Sequence, residues 1–409
     1  MTSKREIFLL ACASAIVTAN AYYIHPIIAA VARDFGVSDA GIGIVPAVNQ
    51  IALALGVLLL LPLGDRVDNR KLVTVCLSVQ VLTLVVMAVT TNFAVFITAS
   101  TALGFFTITP YLLPAYASRR VTPQQLGYAT ALLTTGVIAG VQVSRLSAGV
   151  IGEYTDWRWV YWIAAALMAA ATIIVPRIMV REPVNTQGPS YWALIRSLFV
   201  LGQQHPRLMV SGVIQSLNFA AFIAVWLGIG LHLTSEAQGH GSDLVGYLTA
   251  FSAIGLLTTA RLGKWADTQG AEKARLIMAT FQFVGITLLA TAGSDWVFLL
   301  PPLALMSIVG PVVDITGRMT GLQETPAVRT RLMSLYVCMM FTGGGLGSWA
   351  GTLAYDRFSW TGIVGLTMGF SDGLAVIVAA MVAKVPPPAP LKRRWQLTDR
   401  QIFHLDTAP

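Results

Sequence analysis

About 20 apolar residues in a row, bounded by short polar turns, recur along this chain, and that pattern leaves it few ways to fold. Such a run matches the hydrocarbon thickness of a bilayer, where backbone polar groups must bond within a helix or a closed barrel. The runs fall at roughly 7–31, 41–63, 72–91, 94–117, 126–151, 158–179, 208–233, 243–262, 273–292, 297–322, 331–354 and 361–383. They predict an all-α membrane protein with twelve transmembrane helices. Composition agrees, with 55% apolar and 11% charged residues in a chain of 409, outside the range of water-soluble globules. Lys4 and Arg5 precede a first run long enough to span, with no small-residue cleavage site, so it is expected to stay as a helix. Cys12, Cys76 and Cys338 all fall inside predicted spans, which argues against a disulfide framework.

The net charge of +8 raises the question of nucleic acid, and the distribution of charge answers it. Of the 27 Lys and Arg, only Arg33, Arg158 and Arg357 fall in loops on one side, and Arg145, Arg261 and Arg318 fall in or at the ends of spans. All the others fall on the opposite side. This is the positive-inside asymmetry; it places both termini in the cytoplasm and makes lipid, not nucleic acid, the expected partner. The longest break, Val180 to Pro206, holds Pro183, Gly188 and Pro189 and reads as a linker. The expected organisation is a six-helix half over 1–179, a cytoplasmic linker at 180–206, a second half over 207–384 and a cytoplasmic tail at 385–409. A short interfacial helix is expected over 191–201, and Lys392-Arg-Arg-Trp in the tail is expected at the headgroups.

The fifth span carries Arg145 inside about 25 otherwise uncharged residues. A mid-membrane arginine costs about 2.5–3.5 kcal/mol even on the lenient insertion scale, so it should face a partner or a watery cavity. Gly136, Gly140, Ser144, Ala148 and Gly152 form a small-residue stripe for close helix packing. Arg145 lies about 100° from that stripe, on the face of Gln142 and Gly149. The halves read as repeats: Asp65 corresponds to Asp267, and Gly140, Ser144, Ala148 and Trp157 match Gly343, Gly347, Gly351 and Trp360. At the same offset Arg145 meets Ser348. The framework repeats and the charge does not, which favours a functional role for Arg145. Two parallel six-helix repeats with a site near the midplane are an architecture of secondary transporters.

Pro62-Leu-Gly-Asp-Arg-Val-Asp-Asn-Arg-Lys71 resembles the signature loop of the major facilitator superfamily. The resemblance covers nearly the whole chain. It implies a conformational latch in which Asp65, Arg66, Arg70 and Lys71 make charge contacts, with Asp267 as the counterpart in the 8–9 loop. Leu61 and Asp68 stand where that loop usually has glycine. The fifth span looks like the glycine-rich antiporter motif of the efflux branch, with Arg145 in its Gly-Pro region. Tyr22-Tyr-Ile-His-Pro26, Gly64 to Asp68, Ser144 to Gly149 and Trp157 to Trp162 are similar to bacterial proteins described as sugar or drug efflux proteins. That resemblance implies a bacterial inner (plasma) membrane, proton antiport, and a cavity lined by the first, fourth, seventh and tenth spans.

On the tenth span Ser307, Pro311, Asp314 and Arg318 share a face, with Asp314 and Arg318 one turn apart. Either they form an internally neutralised pair, or Asp314 carries the coupled proton and substrate competes for Arg318. His25 beside Pro26, with Tyr22 one turn earlier, is a candidate proton relay or substrate contact, or a satisfied hydrogen-bonding residue; Pro26 should kink the helix. Gln215, Asn218 and Phe222 on the seventh span, and Thr107 and Tyr111 with Pro110 and Pro114 on the fourth, supply the amides and aromatic walls that a small-molecule site needs, or bond other helices. Asp372 reads as structural. The sequence has no nucleotide loop, metal-ligand cluster or nucleophile–base constellation, so no enzyme activity, metal or cofactor is expected. The expected function is proton-coupled export, by alternating access, of a small polar or anionic metabolite or drug by a monomer. The substrate contacts would be Tyr22, His25, Tyr111, Gln142, Arg145, Gln215, Asn218, Phe222 and Arg318, with Asp314 and His25 moving protons. The alternatives are a facilitator or importer of an organic anion or sugar, and a receptor that does not transport.

Overall fold

A computed structural model describes residues 3–181, 190–293, 295–320 and 326–383. The expectations for Pro183, Gly188 and Pro189 and for the tail from Lys384 onward lie outside the described residues. Helices dominate. The N-terminal set is α1 (Lys4–Ala19), α2 (Ile24–Phe35), α3 (Asp39–Ile42), α4 (Ile44–Leu63), α5 (Asn69–Val89), α6 (Phe93–Phe106), α7 (Thr109–Ser118), α8 (Pro123–Tyr154) and α9 (Arg158–Ile178). After α10 (Tyr191–Gln204), where the short interfacial helix was expected, come α11 (Pro206–Leu233), α12 (Ser242–Ser252), α13 (Ile254–Gln269), α14 (Ala271–Leu289), α15 (Leu300–Met319) and α16 (Pro326–Ala383).

Among the described residues nine helical stretches are long and apolar enough to cross a membrane. The eighth expected span is divided after Ser252 into α12 and α13, of 11 and 16 residues, and the ninth is α14, where Glu272, Lys273 and Arg275 stand in the first turns. The last two expected spans continue as α16, bent at Ser359, whose φ of 52° interrupts the helix. The helix runs on from Leu262 through Gly263 to Gln269 and turns only at Gly270, where φ is +85°. Asp267 therefore sits exposed on α13, a correction to its expected place in a loop.

Two spans are broken where proline predicts it. The first is interrupted at 20–23, just before Pro26, and the fourth between Phe106 and Thr109, just before Pro110. A proline lacks the N–H that would bond the preceding turn, so nearby backbone groups need other partners. Gln80 of α5 supplies some of them: its Oε1 accepts from Asn20 Nδ2 (3.0 Å) and from Thr107 Oγ1 (3.4 Å), and its Nε2 donates to the Phe106 carbonyl (3.0 Å). One buried amide thus ties both breaks together.

Glycines set the helix spacing. A Cβ on Gly136 or Gly140 would stand 2.3 Å from the Ala11 or Ala15 carbonyl oxygen, and one on Gly343 or Gly347 would stand 2.3 or 2.5 Å from the Ser216 or Ala220 carbonyl oxygen. The repeated small residues therefore pack α8 on α1 and α16 on α11 in matching ways. Large apolar side chains such as Leu82, Phe358 and Val376 point outward, as a lipid-facing surface requires.

Candidate functional site

Arg145 is fully buried on α8. Its Nη2 lies 3.0 Å from His25 Nδ1. An arginine offers only donors, so Nδ1 accepts and the proton of the neutral ring sits on Nε2. Three rings surround the guanidinium, with centroids at 5.2 Å for Tyr22, 4.8 Å for Phe222 and 4.7 Å for Trp226. Rings at this range attract a cation but leave its N–H groups without acceptors. Arg145 Nε and Nη1 and His25 Nε2 are buried with no hydrogen-bond partner, and no carboxylate among the described residues pairs with Arg145. Gln50 is fully buried beside Tyr22.

A second buried arginine shows what a structural one looks like here. Arg275, near the start of the ninth expected span, is buried inside α14: Nη1 donates to Ser211 Oγ (2.9 Å), Nε to Thr316 Oγ1 (3.2 Å) and Nη2 to the Thr316 carbonyl. All its nitrogens are used. Arg145 is equally buried but uses only one of its three nitrogens.

The other expected site residues divide. Phe222 and Tyr22 join Arg145. Gln142 Nε2 donates across to the Thr249 carbonyl (3.2 Å), bonding the two sets of helices. Asn218 Nδ2 donates to Gln215 Oε1 (3.1 Å), so these amides satisfy each other. On α15, Arg318 Nε lies 3.0 and 2.9 Å from the Asp314 oxygens, with side chains 34% and 27% exposed, so the pair is reachable. Tyr336 covers Arg318 at 5.3 Å, and its hydroxyl donates to the Asp314 carbonyl (3.2 Å). Gln50 and Trp226 were missed by sequence reasoning; the helical spacing of Trp226, one turn after Phe222, was the available signal.

At one end of the bundle Asp65, Gly64, Tyr111 and Arg119 line a cleft with Leu194 of α10 and Arg331 of α16. Desolvation raises the Asp65 carboxyl above its usual value, against the opposing pull of Arg119 and Arg331. The side chain of Asp68, which stands where glycine was usual, accepts from Arg70 N (3.1 Å) and caps α5. Arg66 and Arg70 are half-buried and Lys71 is exposed. At the other end the two sets meet closely. Ser242 N and Oγ donate to Glu153 Oε2 (2.8 and 3.3 Å), and Ser242 Oγ lies 3.1 Å from the Gly149 carbonyl oxygen. Ser348 Oγ donates to the Gly43 carbonyl (3.3 Å), and a Cβ on Gly230 would stand 2.4 Å from the His25 carbonyl oxygen. The two sets are in direct contact there.

A helical membrane protein with a polar site between two matching sets of helices is built as a solute transporter. Residues 10–324 match the Major Facilitator Superfamily, and the chain belongs to that family. It is 23% identical over 361 residues to an uncharacterized transporter, YgaY, of Escherichia coli O157:H7, covering 88% of this chain and 91% of that one. It is also 26% identical over 219 residues to multidrug resistance protein D of Escherichia coli strain K12, covering 51% and 54%. Among solved structures, a mutant of the nucleoside transporter NupG superposes with a TM-score of 0.73 at 16% identity, covering 92% of this chain and 99% of that one.

Proposed function

We propose that this transporter exports a small polar or anionic metabolite or drug by alternating access, coupled to protons, with the solute anchored on Arg145. The observation that carries this reading is a fully buried guanidinium with two nitrogens unmade and no carboxylate beside it. Burying a charge without its hydrogen bonds costs several kcal/mol, and an anion arriving from solution would offset that cost. Asp314 is the proton carrier in this reading: an anion competing for Arg318 would release its carboxylate to take a proton. The partial exposure of that pair supports the role. The similarity to a multidrug resistance protein supports export. The direct contact between the two sets at the end opposite the Asp65 cleft supports alternating access, with this state read as closed on one side. On the distribution of Lys and Arg, the Asp65 end and both termini face the cytoplasm of a bacterial inner membrane.

The test is thermal stability of the purified protein in mild detergent against organic anions, sugars and lipophilic cations. A ligand selective for the folded state adds about 2.7 kcal/mol at a hundredfold excess over its Kd. Anions should raise Tm, and Arg145→Ala should abolish the rise. A response confined to lipophilic cations would sink the anion reading.

A further inference from the structure

The rings around Arg145 continue beyond it. Trp226 lies 6.5 Å from Phe222, Phe222 stacks at 5.9 Å on Phe219, Phe219 meets Phe341 edge-on at 5.7 Å, and Phe341 meets Tyr111 edge-on at 5.8 Å. Tyr111 is close enough to Arg318 and Asp314 to feel both charges, and it lines the cleft at the Asp65 end. An unbroken aromatic track therefore runs from the buried cation to that cleft. Phe219, Phe222 and Tyr111 are each partly exposed, and Phe341 between them is buried. Along it the charges of Arg318 and Asp314 cancel, and Arg145 alone is uncompensated.

We infer that the permeant species is a monoanion with a planar apolar body, an arene carboxylate, its carboxylate on Arg145 and its ring against the partly exposed Phe222 and Phe219. The inference rests on the anion reading above and narrows it. The unmade groups Arg145 Nε and Nη1 donate, and so does His25 Nε2 in the tautomer set by Arg145. A carboxylate accepts only, so it matches these groups. A polyol's hydroxyls can also accept, but they bring no charge to offset the guanidinium. A tricarboxylate would bring more charge than one arginine neutralises. The partly exposed rings of Phe219 and Phe222 favour an aromatic body by offset or edge-on stacking, on top of the gain from burying apolar surface.

The test uses full-length protein in detergent, with binding of benzoate, acetate, citrate, uridine and tetraphenylphosphonium measured by calorimetry on wild type, Arg145→Gln and Phe219→Leu. Benzoate is expected to bind on the order of tenfold or more tighter than acetate, as burial of one ring predicts. Arg145→Gln should lose both. Phe219→Leu, which keeps an apolar side chain and does not touch Arg145, should weaken benzoate several-fold and leave acetate as it was. Acetate equal to benzoate, or citrate the tightest, would overturn the arene inference while leaving an anion transporter. Binding of uridine or tetraphenylphosphonium alone, or no response to any anion, would overturn both readings.

Discussion

Arg145 and Arg275 are both buried arginines, and they should respond to mutation with opposite signs. Arg275→Met strands Ser211 Oγ and the Thr316 groups that now accept from the guanidinium, so it should destabilise by about 1–3 kcal/mol. Arg145→Met removes a charge that has one hydrogen bond and three ring contacts. Replacing a poorly compensated buried charge with an apolar side chain of similar volume should leave the empty protein as stable or stabilise it by about 1–4 kcal/mol. Tm values of the two variants in one detergent check this; destabilisation by Arg145→Met equal to that by Arg275→Met would make Arg145 structural. The special status of Arg145 was legible because a lone charge in an apolar run is conspicuous. Gln50 was not, because one amide among many says nothing until its neighbours are known.

At the level of elements, the broken helices and the seam between the two sets make separate predictions. Gln80→Leu removes the partner of Asn20, Thr107 and the Phe106 carbonyl at once. It should lower stability by about 1–3 kcal/mol for the groups left unsatisfied, read as a drop in Tm. The two prolines made the breaks readable in sequence; the clasp between them was not, since it depends on α5 lying beside both. At the seam a Cβ on Gly149 would stand 2.5 Å from the Ser242 carbonyl oxygen and 3.0 Å from Gly246 N. Gly149→Val should therefore prise the sets apart at that end. A cysteine at Ala30, which lines the cleft there with Arg33 and Glu153, should then react faster with a polar thiol reagent in a cysteine-free background. Unchanged labelling would mean that the seam is not the gate. The misplacement of Asp267 has a local cause: an apolar run that ends at Leu262 marks where lipid contact ends, and the helix runs through Gly263 to the left-handed turn at Gly270.

Across the whole molecule, the small-residue stripes at Gly136 and Gly140 and at Gly343 and Gly347 were readable because close packing in lipid needs small side chains at a fixed interval. Their matching use against α1 and α11 is the physical content of the internal repeat. The aromatic track was not readable, since its rings come from α7, α11 and α16 and meet only once those helices pack. The molecule is read as a carrier in which the buried cation Arg145 awaits a solute anion. The most direct measurement is the charge displaced when proteoliposomes on a solid-supported membrane meet a jump in organic anion concentration. The wild-type protein should give a saturable transient that Arg145→Met lacks, although that variant folds and reconstitutes. An undiminished transient in Arg145→Met, or transients only with cations, would contradict the account.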